Sequence, residues 1–85
     1  GDGGSIPTTE IKPEDLESMD ILSALVLTKL TPSRSEARRA VQQGGVKLND
    51  GKVEDVEFKI SADMFKDGIV TLQRGKKSFH RLKLV

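Results

Sequence analysis

Apolar residues in this chain recur first with the period of a helix and then with the period of a strand. From Ile21 to Leu30 only Ser23, Thr28 and Lys29 interrupt the apolar run, which predicts a mostly buried helix. Between Ser33 and Gln43 the apolar positions thin to Ala37, Ala40 and Val41, a narrow stripe at three- and four-residue spacing that suits an amphipathic helix. The period then falls to two. Val46 and Leu48 alternate with Lys47 and Asn49, and Val56, Phe58 and Ile60 alternate with Glu57 and Lys59, both half-buried strand patterns. Ile69 to Arg74 and Ser78 to Leu84 read as two more strands. A short strand over Ile6 to Ile11 belongs at a sheet edge, because Pro7 cannot donate to a central ladder. The pattern predicts an α+β domain over residues 6 to 85, with two or three helices packed on a small, mainly antiparallel sheet of about four or five strands.

Local signals set the element boundaries. Pro13, Glu14 and Asp15 start a short helix that runs to about Ser18 and uses Leu16 and Met19 as apolar contacts. Asp20 then caps the buried helix, and Pro32 breaks the chain before the amphipathic one. Ser33 and Glu36 have the spacing of a capping box, in which each side chain accepts from the other residue's amide. Gly44 and Gly45 supply left-handed backbone that ends this helix, and Asp50-Gly51 turns the chain back. Val53 is out of phase with Val56, Phe58 and Ile60, which predicts a bulge or turn at Glu54-Asp55. Ser61 to Asp67 reads as a loop or a single helical turn, and Gly75-Lys76-Lys77 as the tip of a closing hairpin.

Composition narrows the chemistry. With no cysteine and one histidine in 85 residues, neither a disulfide framework nor a thiolate or histidine-rich metal cluster is expected. No apolar run is long enough to span a bilayer, so no membrane partner is expected. Gly1 to Ser5 read as a flexible linker or a cloning remnant, in a domain from a longer protein. The net charge of +1 conceals four blocks: −5 over residues 1 to 20, +4 over 21 to 52, −3 over 53 to 67 and +5 over 68 to 85. Two basic blocks that converge in space make a field that attracts phosphate, whereas dispersed blocks merely neutralise the acidic ones. Neither G-x-x-x-x-G-K-S/T nor G-x-G-x-x-G occurs, and His80 has no nucleophile or acid-base partner in the pattern. A packed or hydrogen-bonded His80 is the expectation, with no catalytic site, metal or cofactor in this domain.

The stretch S-R-S-E-A-R-R-A-V-Q-Q-G-G-V-K-L-N-D-G-K, from Ser33 to Lys52, is similar to the core motif of the S-four-like RNA-binding fold. Its doubled glycine, with G-K-K-S-F-H-R-L-K-L at the carboxyl end, resembles the C-terminal domain of bacterial-type tyrosyl-tRNA synthetases. The likeness covers nearly the whole chain, from Ile6 to Val85. Where many proteins of the wider family carry arginine-leucine-aspartate at the start of the helix preceding the arginine-bearing one, this chain reads Met19-Asp20-Ile21-Leu22, so one basic contact usual in that family is not implied here.

The resemblance implies an RNA-contacting face made of Arg34, Arg38, Lys47 and Asn49, although Asn49 can instead serve only the turn. Arginine's planar fork fits phosphate oxygens, and asparagine can bond phosphate, sugar or base. Arg39, Lys52, Lys76, Lys77 and Arg81 form a second group, each equally explicable as a solvated surface charge. Phe79 shares a strand face with Arg81 and Lys83 and can stack on a base, but packing under a helix or near a domain junction is the commoner fate of such a residue. The implied partner is tRNA(Tyr), contacted on its anticodon side and long variable arm. ATP and the ligation of tyrosine to tRNA would belong to a catalytic part of a homodimeric parent, cytoplasmic or in the mitochondrial matrix, and the isolated domain would be monomeric and inactive. The alternatives are an S-four-like module of a ribosomal, RNA-modifying or stress-response protein, and, third, a protein-interaction module.

Overall fold

A computed structural model describes residues 6 to 85; the linker expected over residues 1 to 5 lies outside the described residues. In chain order the elements are β1 (Thr8–Ile11), a 3-10 turn (Pro13–Ser18), α1 (Ile21–Leu27), α2 (Arg34–Gln42), β2 (Val46–Leu48), β3 (Gly51–Lys52), a second 3-10 turn (Ala62–Met64), β4 (Ile69–Arg74) and β5 (Ser78–Leu84). The strands form one sheet in the order β1-β5-β4-β2-β3. β1 lies parallel to β5, and every other pair is antiparallel. The α+β expectation therefore holds, with β1 at an edge as Pro7 required.

Both α-helices pack on one face of the sheet. Ile21, Ala24 and Leu25 of α1 are fully buried, as are Ala37 and Val41 of α2, against Val46, Val70, Leu72 and Leu82 from the sheet. The small side chains of Ala24, Ala37 and Ala40 let neighbouring backbones approach closely. Because strand side chains alternate, the partners of these inward residues point away from the helices. Lys47, Thr71, Gln73, Phe79, Arg81 and Lys83 occupy that outer face. Phe79 is 37% exposed there, so it does not pack under a helix.

Several boundaries moved for local reasons. The strand expected over Val56 to Ile60 does not form. The Asp55 carboxylate accepts from the Glu57 amide at 2.9 Å, and its carbonyl accepts from the Phe58 amide at 3.1 Å, which makes a turn there. What remains is a single bridge between Lys59 and Asp20. The alternation of burial persists without a ladder, since Ile60 is 2% exposed. The β2–β3 turn falls on Asn49-Asp50, one residue earlier than expected, with both φ angles positive at 50° and 72°. That is the backbone of a two-residue type I′ hairpin, which asparagine and aspartate tolerate better than other side chains.

α1 ends at Leu27 rather than Leu30, because Lys29 enters the left-handed region at φ 63°. Of the two glycines after α2, only Gly44 is left-handed, at φ 74°. Ser33 caps α2 by accepting from the Glu36 amide at 3.3 Å. The reciprocal half of the capping box is replaced: the Glu36 carboxylate faces the Arg39 guanidinium at 3.6 Å.

Candidate nucleic-acid interface

The cap at Ser33 and the buried stripe of Ala37, Ala40 and Val41 fix the rotation of α2, so its opposite side must face solvent. That side carries a shallow groove lined by Arg34, Ser35, Arg38, Arg39 and Gln42. Arg34, Arg38 and Gln42 follow at four-residue intervals and lie above one another. Arg39 leans on Glu36, and among the described residues Arg38 has no ion pair. Arg34 is already engaged: it donates to the Ser23 hydroxyl at 2.7 Å and to the Asp20 carboxylate at 3.2 Å. Burial raises the Asp20 pKa. Hydrogen bonds from Ser23 and the adjacent Arg34 charge outweigh it and hold the carboxyl below its ordinary value.

At the other end of α2, Gly45 donates to Ala40 at 2.9 Å and Gly44 to Val41 at 3.0 Å, the paired bonds of a Schellman end. The Gly45 carbonyl then accepts from the Gly75 amide at 2.7 Å. This bond docks the β4–β5 hairpin tip on the end of the helix. A groove results between Gln43 and Gly45 on one side and Lys76, Lys77 and Ser78 on the other. Two basic stretches more than thirty residues apart in sequence are thus joined along α2. Lys52 also approaches this end, since a Cβ on Gly44 would lie 3.5 Å from its Nζ.

The remaining expected residues go elsewhere. Lys47 is exposed, but its neighbours Val46 and Leu48 are buried, so it projects on the outer face and does not share the α2 groove with Arg34 and Arg38. Asn49 does not face outward. It is half-buried, donates to the Met64 carbonyl at 2.8 Å and accepts from the Thr71 amide at 3.0 Å. Its amide ties the 62 to 66 segment to β4. Arg81 lies on the outer face in a mixed-charge hollow with Glu10, Asp67 and Lys83. Arg74 turns inward and donates to the Leu30 carbonyl at 3.1 Å, a cation at the carboxyl end of α1. His80 bonds Thr9 at 2.7 Å, and burial lowers its pKa. Gln42 and Gln43 were not among the expected residues, although the four-residue step from Arg38 to Gln42 was available as a signal.

This chain is similar along most of its length to known proteins. The family model "Tyrosine--tRNA ligase SYY-like C-terminal domain" matches residues 3–82. Tyrosine-tRNA ligase 1 of Clostridium acetobutylicum is 48% identical over 79 residues, covering 92% of this chain and 19% of that protein. The tyrosine-tRNA ligase of Clostridium tetani is 42% identical over 81 residues, covering 95% and 20%. The chain thus spans about a fifth of the length of the curated relatives it matches. A solution structure of a tyrosyl-tRNA synthetase C-terminal domain superposes with a TM-score of 0.72 at 22% identity, covering 94% of this chain and 79% of that one, a likeness of fold. The α+β layout, the glycine-terminated basic helix and the family match over residues 3–82 lead to one conclusion: this chain belongs to the SYY-like C-terminal domains of tyrosine-tRNA ligases.

Proposed function

We propose that this domain binds tRNA(Tyr) for a tyrosine-tRNA ligase, using the solvent side of α2 and the hairpin tip docked on its end. The observation that carries the reading is the Gly75–Gly45 hydrogen bond of 2.7 Å, which brings Lys76 and Lys77 to the helix bearing Arg38 and Arg39. Gathered cations raise the local potential enough to favour a phosphate backbone, which the near-neutral whole chain does not do. Gln42 and Gln43 add neutral donors between the charges, suited to phosphate and ribose oxygens. On this reading the ATP-dependent charging of tRNA in the bacterial cytoplasm is carried out by the part of the ligase that this chain does not span.

Salt dependence tests it. If Arg38, Arg39, Lys76 and Lys77 each neutralise one phosphate, the logarithm of the binding constant falls against the logarithm of salt with a slope of about −3 to −4. Arg38→Ala with Lys76→Ala reduces the slope by about 1 to 2 and weakens binding at low salt. Equal slopes and affinities for wild type and double variant, measured with tRNA(Tyr), would place the RNA elsewhere.

A further inference from the structure

The outer face of the sheet carries a second ordered feature, on the side away from the helices. The strand registers place Lys52 opposite Lys47, Lys47 opposite Gln73, and Gln73 opposite Phe79. One row therefore crosses four strands; its outer face presents the Lys47 cation, an amide and an aromatic ring, with no acid among them, while the Lys52 ammonium bends toward Gly44 at the end of α2. Phe79 is 37% exposed and Lys47 is exposed. The Gln73 amide group is fixed by donation to the Gly75 carbonyl at 2.8 Å, which leaves its oxygen free to accept. Arg81, two residues along β5, continues the same face beside the ring.

We infer that this row is a binding site for an unpaired nucleotide of RNA: the base stacks on Phe79, its exocyclic donor meets the Gln73 oxygen, and Lys47 takes the adjoining phosphate. A lone exposed phenylalanine is ordinary on a protein surface. What sets this one apart is its alignment. Neighbouring strands lie about 4.8 Å apart, so Lys47 is about 10 Å from Phe79 across the sheet, a span that one flexible lysine and one nucleotide bridge. An aromatic platform beside a cationic track is the physical recipe for single-strand binding, because every base has a face to stack and every nucleotide has a charge to neutralise. A protein partner suits the row less well, since Phe79 is its only large apolar group. The inference rests on the RNA-binding reading above but concerns a different surface and a different feature of the RNA.

The test uses the whole 85-residue chain with two probes, a short single-stranded oligoribonucleotide carrying a fluorescent aminopurine and a blunt RNA duplex. Wild type binds the single strand and quenches the aminopurine as the base stacks. Phe79→Leu, which keeps apolar bulk but removes the π face, and Phe79→Ala both lose the quenching and weaken single-strand binding about 5- to 150-fold. Duplex affinity stays near wild type, and Phe79→Leu, which keeps most of the apolar bulk of a residue 37% exposed, holds the thermal midpoint closer to wild type than Phe79→Ala does. Phe79→Trp retains quenching. Arg38→Ala with Lys76→Ala shows the reverse pattern, losing duplex affinity while the quenching persists. Equal quenching and affinity in wild type and Phe79→Leu overturn the inference and leave the α2 reading standing. Failure of wild type to bind either RNA overturns both.

Discussion

The two helices end in the same hydrogen-bonding motif but reach it with different residues. After α2 the left-handed position is Gly44, with bonds from Gly45 to Ala40 and from Gly44 to Val41. After α1 it is Lys29, with bonds from Leu30 to Leu25 and from Lys29 to Val26, both at 3.0 Å. A side chain in this conformation costs about 1–2 kcal/mol that glycine avoids. α1 can bear the penalty because its burial is far larger: Ile21, Ala24 and Leu25 are fully inaccessible, and Arg74 reaches across to the Leu30 carbonyl. α2 has only a thin alanine-valine stripe to hold it, and its other side is left to cations. The buried helix is the scaffold, and the exposed one presents charge. Where packing is thin, local backbone chemistry has to be right.

Breaking the scaffold should have the largest effect. Leu25 sits at the carbonyl that receives the Leu30 and Thr31 amides, and its side chain is 0% exposed. Leu25→Ala therefore destabilises by about 3 kcal/mol, within the range for a deleted core leucine. Arg38→Ala, on the solvent side of α2, changes stability by less than about 0.5 kcal/mol. Denaturant midpoints measured with unchanged slopes check both, and comparable losses would remove the division of labour between the helices.

The helix ends sharpen the comparison at smaller magnitude. Gly44→Ala costs about 1–2 kcal/mol through its φ of 74°. Steric clash adds little, because the added Cβ meets only the flexible end of Lys52, at 3.5 Å. Lys29→Gly works in the opposite direction and stabilises by about 0.5–1 kcal/mol, the relieved strain exceeding the extra chain entropy that glycine loses on folding. Thermal unfolding of the two variants should shift in opposite directions. A destabilised Lys29→Gly would show that the lysine side chain is needed for something beyond the turn.

The same contrast explains what was legible in the sequence. β4 and β5 could be read to the residue because alternation, Gly68 and Gly75 all act within a few positions. The α2 cap and the Gly44 stop were equally local. Lys29 was missed because its left-handed turn goes with the burial of Leu25 and the packing of half-buried Leu30 on the core, and lysine itself carries no such signal. Val56 to Ile60 kept the alternation of a strand, but Asp55 turns the backbone and, among the described residues, the only strand-like partner is Asp20. At the site, Arg38 and Arg39 lay where helical spacing put them. The docking of Lys76 and Lys77 depends on a contact between Gly75 and Gly45, thirty residues apart, and the inward use of Asn49 and Arg74 depends on partners 15 to 44 positions away. Periodicity describes which side of an element faces out, and it says nothing about what stands beside that side.

The smallest expected effect concerns the tie between the two helices. Arg34 pairs with Asp20 at 3.2 Å, but the side chains are 56% and 25% exposed, and pairs this accessible to water are worth less than about 1 kcal/mol. Asp20 also caps α1 by accepting from the Ser23 amide at 2.7 Å, so an alanine there would confound the charge with the cap. Asp20→Asn keeps an acceptor oxygen and removes the charge, and in a double-mutant cycle with Arg34→Ala it isolates the pair. Because the folded carboxyl lies below its ordinary value of 3.8, its stabilisation is fully present above that pH and is lost as acid carries the solution through the lower folded value. The coupling should therefore be a fraction of a kcal/mol at neutral pH, shrink in high salt and vanish in acid. A coupling that persists in acid would show that the contact is one of shape and not of charge. A weak, screened pair also suits the proposed function, since Arg34 can exchange the Asp20 carboxylate for an RNA phosphate at little cost. In that case Arg34→Ala weakens tRNA(Tyr) binding less than Arg38→Ala, whose guanidinium has no carboxylate partner among the described residues.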